Sequence, residues 1–264
     1  MTALKPYLAG PGVCACWGLQ PGHGFDAAPN GIADYVSFCK GHGVLWHCLQ
    51  VIPENDAIGP EMKEECRRQG VHFGGWTNVS QQVGSPDQLE ALLQRIDNYK
   101  CGFFQANIEF RGSGIGDPND PNGWHKAFSS AFRKRFPRKP ACVNTNFGGF
   151  DHPGGGYDRD ASAIYIKAHF ECQHEDYWVN SPNLTPLNGD FNAHNQLGWP
   201  RPSSSMTGIF GSETGRTDDQ GNRLWNTVLG ERPRLLASGR HHIEWIWTGE
   251  YMSEEDWAHV ADKF

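Results

Sequence analysis

Apolar positions in this chain fall into short runs of two-residue periodicity. Between them lie stretches in which apolar residues return every three or four positions. The first kind reads as strands and the second as helices. Strands are predicted at Val13–Trp17, Val44–Val51, Val71–Trp76, Gly102–Phe110, Ala141–Asn146, Ile164–Cys172, Met206–Phe210 and His242–Trp247. Helices are predicted near Ile32–Lys40, from Pro60 to Gln69, after Ser85, over Gly123–Phe136, and near Asp190–Leu197 and Leu224–Leu229. A last helix starts at Ser253. Pro60 sits near N1 of its helix, and Gly70 stops it. Ser85 is a suitable N-cap, Pro86 follows at N1, and Leu89, Leu92, Leu93 and Ile96 form one apolar face. The Gly-rich link Gly148–Asp160 reads as a loop.

Hairpin signals are almost absent, so the alternation of strand and helix implies a parallel sheet. Closed on itself, that sheet is a (β/α)8 TIM barrel, and 264 residues suit one such domain covering 1–264. An open doubly wound sheet is the alternative. No G-x-G-x-x-G or P-loop follows any strand, and no cofactor is expected.

Side chains alternate across a strand. In the fourth strand Phe104, Ala106, Ile108 and Phe110 share one face, while Gln105, Asn107 and Glu109 share the other. The apolar set suits the helix layer, and the polar set then lines the barrel interior. The sixth strand repeats the pattern, with Ile164, Ile166, Ala168 and Phe170 against Tyr165, Lys167, His169 and Glu171. Asn144 and Asn146 share a face of the fifth. In the eighth, His242 and Glu244 oppose Ile243, Trp245 and Trp247, and the alternation leaves the inward side open. A barrel interior is normally filled by branched apolar side chains. Inward polar faces therefore point either to a buried polar network or to chemistry.

Composition narrows the partners. Lys plus Arg number 23 against 30 Asp plus Glu, a net charge of −7 that lacks the basic footprint of a nucleic-acid binder. The run Arg133–Lys134–Arg135 closes a predicted helix, where cations meet the negative end of its dipole. No segment approaches the ~18 apolar residues of a membrane span. The first residues hold no basic stretch followed by an apolar one, so cytoplasmic synthesis without a signal peptide is expected. The 8 cysteines are scattered and read as buried free thiols. Cys14 and Cys16 have no second pair at zinc-finger spacing.

Carboxylates at strand ends supply the candidate chemistry. Glycoside hydrolysis uses two carboxyl groups about 5 Å apart for retention, or roughly 6.5–9.5 Å for inversion. Glu109 is the candidate general acid, Glu171 the first-choice partner and Glu213 the second, with Glu244 and Glu250 in reserve. Asn107, Asn144, Asn146 and His169 are candidates to orient a substrate. Trp76 and Trp247 are candidates to stack on sugar rings, and Trp178 and Trp199 fall near similar positions.

The segment Gly102–Glu109 resembles the strand-four motif of barrel glycosidases ending in D-x-D-x-E, among them the chitinase-like and family-25 muramidase-like barrels. Glu109 matches the acidic terminus. Gln105 and Asn107 stand where that family has aspartates, and Cys16–Trp17–Gly18 occupies the strand-one end where the muramidase pattern has another. The resemblance implies a barrel that binds and cleaves a cell-surface or cell-wall carbohydrate, with Glu109 as acid. Such barrels also occur in bacteriophage tail proteins. There the expectation is a non-catalytic structural or glycan-binding module with protein partners in a virion, which the two amides favour.

Other chemistries have thinner support. Lys167 on a sixth strand would suit a Schiff-base enzyme. His169-x-Glu171 and His242-x-Glu244 would together suit a divalent metal, although no metal is expected, because the H-x-H of metal-dependent barrel hydrolases is missing. Asp117–Asn122 has calcium-loop composition but two prolines, and reads as a turn. No G-x-S-x-G supports a serine nucleophile.

Overall fold

A computed structural model of the chain describes residues 10–15, 31–41, 43–108, 122–146, 156–175, 204–210 and 241–247. In 10–15, 145–146, 156–159, 172–175, 204–210 and 241–247 the description is of the backbone alone. Eight parallel strands close a barrel in sequence order: β1 (Gly10–Ala15), β2 (Trp46–Gln50), β3 (His72–Asn78), β4 (Phe103–Asn107), β5 (Ala141–Asn146), β6 (Glu171–Glu175), β7 (Ser204–Phe210) and β8 (His241–Trp247), with β8 returning to β1. The described helices are α1 (Ile32–Gly41), α2 (Gly59–Gln69), the single turn α3 (Val79–Gln82), α4 (Pro86–Asn98), α5 (Gly123–Arg135) and α6 (Gly156–Lys167). None of them is long and apolar enough to cross a membrane. The helices expected near Asp190–Leu197, Leu224–Leu229 and Ser253 lie outside the described residues.

Local chemistry sets the helix ends. At α4, Ser85 Oγ accepts the backbone N–H of Gln88 at 3.2 Å, and Gln88 Oε1 in turn accepts the N–H of Gly84 at 2.9 Å. At the end of α2, Gly70 adopts φ +75° and the N–H of Val71 reaches back to Cys66 O at 2.8 Å. The same left-handed closure ends α1 at Gly43, where Val44 N–H reaches Cys39 O at 3.0 Å.

The sixth unit differs from its expected form. Residues 164–167 belong to α6, and the link expected to be a loop already turns helical at Gly156. His169 then takes φ +63°, and Phe170 N–H closes on Tyr165 O at 3.0 Å before β6 starts at Glu171. Tyr165 is therefore a helix residue, fully buried between α5 and the sheet, where its hydroxyl pairs with His125 Nδ1 at 3.0 Å. Lys167 is exposed in the last turn of α6, so it is not the strand-borne lysine of a Schiff-base site.

Burial separates the two faces of the sheet. Leu49, Val51, Phe73, Phe104, Ala106, Ile108, Ala141 and Val143 join Val36, Met62, Leu92, Ile96, Phe128 and Phe132 in the core between strands and helices. Each Val, Leu, Ile, Met or Phe side chain among them stabilises the fold by roughly 1.5–3 kcal/mol when fully buried. Residues of the opposite parity line the interior. There Trp46 and Phe103, both fully buried, meet edge to face with ring centroids 6.1 Å apart. Gly74 makes room for them, since a Cβ there would stand 2.2 Å from the Phe103 ring.

The basic run at the end of α5 does more than complement a dipole. Arg133 donates to three carbonyls, Ala168 O at 2.8 Å and Lys139 O and His169 O at 2.7 Å each, while its guanidinium lies 4.4 Å from the Phe170 ring centre. Lys139 donates to Cys101 O. Arg133 ties α5 to the two chain segments that enter β5 and β6, and Lys139 ties the first of these to the segment that enters β4.

Candidate functional site at the barrel mouth

Backbone register identifies what the interior presents at its C-terminal end. Gln50 pairs with Trp76, Trp76 with Gln105, Asn78 with Asn107, and Asn107 with Asn144. Paired residues of a parallel ladder share a face. The same parity continues through Gln173 and Glu175 of β6, which pair with Asn144 and Asn146, and through Met206 to Phe210 of β7 and Trp247 of β8. From β2 to β8 the last residues are then Gln50, Asn78, Asn107, Asn146, Glu175, Phe210 and Trp247, all of interior parity, whereas β1 ends on Ala15 of the other parity, one past Cys14. The rim is an arc of carboxamides, then one carboxylate position, then two aromatic positions.

The amides of this arc are deeply enclosed. Gln50 is 8% exposed, Asn78 3%, Asn107 2%, and Asn144, one step below Asn146, is fully buried. Two are oriented by neighbours. Asn78 Oδ1 accepts the Ser80 hydroxyl at 2.7 Å, and Asn144 Oδ1 accepts the Cys142 thiol at 3.3 Å. Asn78 Nδ2, Asn144 Nδ2 and Gln50 Oε1 meet no hydrogen-bonding partner among the described residues. Buried polar groups are almost always paired, so open ones mark places where water or a ligand completes the set. Trp76 lies below the rim, 4% exposed, so it floors the site rather than forming an exposed stacking platform.

Several residues singled out from the sequence gather here, namely Asn107, Asn144, Asn146, Trp76 and Trp247. Gln105 has the interior parity expected of it and is fully buried. In β8 the interior parity falls to Ile243, Trp245 and Trp247, which puts His242 and Glu244 on the other face. Glu109 and Glu213 lie outside the described residues, as do Trp178, Trp199 and Glu250.

Two candidates stand at the opposite end of the barrel. Glu171 opens β6 instead of ending it, and His169 is the left-handed turn residue just before it. Both line a small cleft with Arg133, Arg138, Lys139 and Pro140, at the end where strands begin. Their displacement follows from the helix over 164–167, which moves the start of β6 seven residues along the chain from the expected Ile164. The carboxylate that ends β6 is Glu175, four residues further on. The pair His169-x-Glu171 does not share a strand face, and the described residues hold no cluster of three or more His, Cys, Asp or Glu able to grip a metal ion.

Away from the mouth, burial suppresses ionisation. Desolvation lowers His47 to about 3 and His125 to about 4. Each packs in the helix layer against a tyrosine, His47 on Tyr35 at 3.3 Å and His125 on Tyr165. The free thiols Cys39, Cys66 and Cys101 are each pushed up to about 12, mainly by burial, which makes them packing groups rather than nucleophiles.

No protein-family model matches the chain, and no curated protein is similar to it in sequence. Solved structures share its architecture. An exo-β-1,4-mannosidase, Op5Man5 from Opitutaceae bacterium strain TAV5, superposes with a TM-score of 0.59 at 11% identity, covering 90% of this chain and 52% of that one. The chain thus spans about half the length of that mannosidase. A D-allulose 3-epimerase from Methylomonas sp. gives a TM-score of 0.59 at 10% identity, covering 100% of this chain and 98% of the other. A fucosyltransferase mutant of the α-L-fucosidase AlfC gives 0.52 at 11% identity, with 96% and 94% covered. At these identities the likeness is one of fold, and the chain has the α/β fold of the TIM barrels.

Proposed function

We propose that this barrel acts on a carbohydrate held at its C-terminal mouth, and that it hydrolyses a glycosidic bond there. The observation that carries the reading is the composition of the rim: carboxamides at the ends of β2 to β5, a glutamate at the end of β6 and aromatic residues at the ends of β7 and β8. Amides match hydroxyls in both donor and acceptor roles, and aromatic rings match the apolar faces of sugars. The likeness in fold to a mannosidase and a fucosidase supports the same class of substrate.

In this reading Glu109, two residues beyond Asn107, is the general acid that protonates the leaving oxygen. Glu175 replaces Glu171 as the opposing carboxylate. Strands β4 and β6 stand two interstrand spacings apart, about 10 Å. A spacing wider than the roughly 5 Å of a retaining pair favours inversion, with Glu175 as the base that removes a proton from water as the water attacks the anomeric carbon. Glu213 is the alternative partner. A panel of polysaccharides, including peptidoglycan, would be incubated with wild type, Glu109→Gln, Glu175→Gln and Glu171→Gln. The expected result is activity lost in the first two variants and kept in the third, with an inverted product anomer by NMR. Activity that survives Glu109→Gln rejects the acid assignment.

Gln105 and Asn107, amides where the similar motif has aspartates, favour a second reading. In that reading the barrel is a non-catalytic glycan-binding module of a larger assembly such as a phage tail. Glycan binding without hydrolysis of any substrate would select it.

A further inference from the structure

We infer that the amide arc selects an uncharged sugar, read through its hydroxyls, and discriminates against sugars carrying a carboxylate or phosphate. The inference rests on the carbohydrate reading above and adds the class of ligand. Asn78 and Asn144 have their side-chain oxygens engaged by Ser80 and Cys142, so each carboxamide is fixed with its NH2 as the open end. Gln50 contributes the complementary open group, an acceptor oxygen. The arc thus carries two buried donors and one buried acceptor.

A hydroxyl can satisfy either kind, because it carries one proton and two lone pairs. A carboxylate or phosphate oxygen can satisfy only the donors and leaves the Gln50 oxygen without a proton to accept. An anion in an enclosed site also needs a countercharge. Across the eight described strands no position of interior parity holds lysine or arginine, whereas Glu175 adds an acidic residue to the rim. Trp76 beneath the arc supplies an apolar surface that charge would not favour.

The test is binding, read by saturation-transfer NMR and calorimetry, with glucose, mannose, fucose and fructose beside glucuronate and glucose 6-phosphate. The proteins are wild type, Asn78→Ala and Asn144→Ala, with Asn144→Asp as a variant that keeps the shape and removes the donor. We expect at least one neutral sugar to bind, and glucuronate and glucose 6-phosphate to bind at least tenfold more weakly. Each variant should lose about tenfold in affinity for the neutral sugar. The alanine variants also remove the acceptors of Ser80 and Cys142 and leave a small cavity, so each should melt a few degrees lower, and Asn144→Asp, which keeps the Oδ1 acceptor, isolates the donor. Anionic sugars that bind as well as neutral ones overturn the selectivity and leave the carbohydrate reading standing. Neutral-sugar affinity unchanged in all three variants overturns the role of the arc. No binding of any sugar rejects the carbohydrate reading along with the inference.

Discussion

At the residue scale the sharpest constraints are two backbone positions. Gly74 faces the interior aromatic pair, and any Cβ there collides with the Phe103 ring. Gly74→Ala is expected to destabilise the protein by about 1–3 kcal/mol, the usual cost of overpacking, measured by urea unfolding. His169 sits at φ +63°, where a side chain strains the backbone and glycine does not. His169→Gly should raise stability by about 0.5–1 kcal/mol and leave any glycan binding or hydrolysis unchanged. A loss of function in that variant would return His169 to the site. Neither position is legible in the sequence. The alternation of Ile164 to Glu171 looks like a strand because isoleucines and aromatics at every second place are common to strands and to short buried helices.

At the element scale, punctuation was what made the fold readable. Ser85–Pro86 and Pro60 with Gly70 mark helix ends that the structure reproduces closely, and β5 runs over Ala141–Asn146 as expected. The sixth unit lacked such marks, since the residue that ends α6 in the left-handed conformation is a histidine rather than a glycine. The site inherited that error: its polar positions on β4 and β5 were legible from parity, but the carboxylate of β6 was not, because parity is useful only after the strand is located. Arg133 shows what holds this unit in place. Arg133→Met keeps much of the packing on Phe170 but strands three carbonyls, and should cost about 2–4 kcal/mol. Hydrogen exchange in the α6–β6 segment should accelerate in that variant before exchange elsewhere in the barrel.

At the scale of the whole molecule, buried neutral groups set the response to acid. His47 and His125 ordinarily titrate near 6.5, and in the fold they titrate at about 3 and about 4. Between those limits the unfolded chain binds protons that the folded one refuses. Their contribution is complete above pH ~6.5 and is lost as pH falls, at about 1.4 kcal/mol per pH unit for each group. Urea midpoints should therefore drop steadily from pH 6.5 to 4, and the slope should be shallower in His47→Asn and in His125→Asn. An identical slope in both variants would show that other groups govern acid unfolding. The buried cysteines Cys39, Cys48, Cys66, Cys101 and Cys142, which form no disulfide, should resist alkylation in native protein and react once urea unfolds it.

The packed rings of Trp46 and Phe103 have a kinetic consequence. They fill the interior beneath the amides of β2 to β4, so a sugar held by those amides would have packed rings under it and the C-terminal mouth above. In the proposed reading a sugar that reaches the rim and whatever is made from it then use that mouth in opposite directions. Entry and departure compete for one passage, and a product lingering there should act as a competitive inhibitor of the next molecule to arrive.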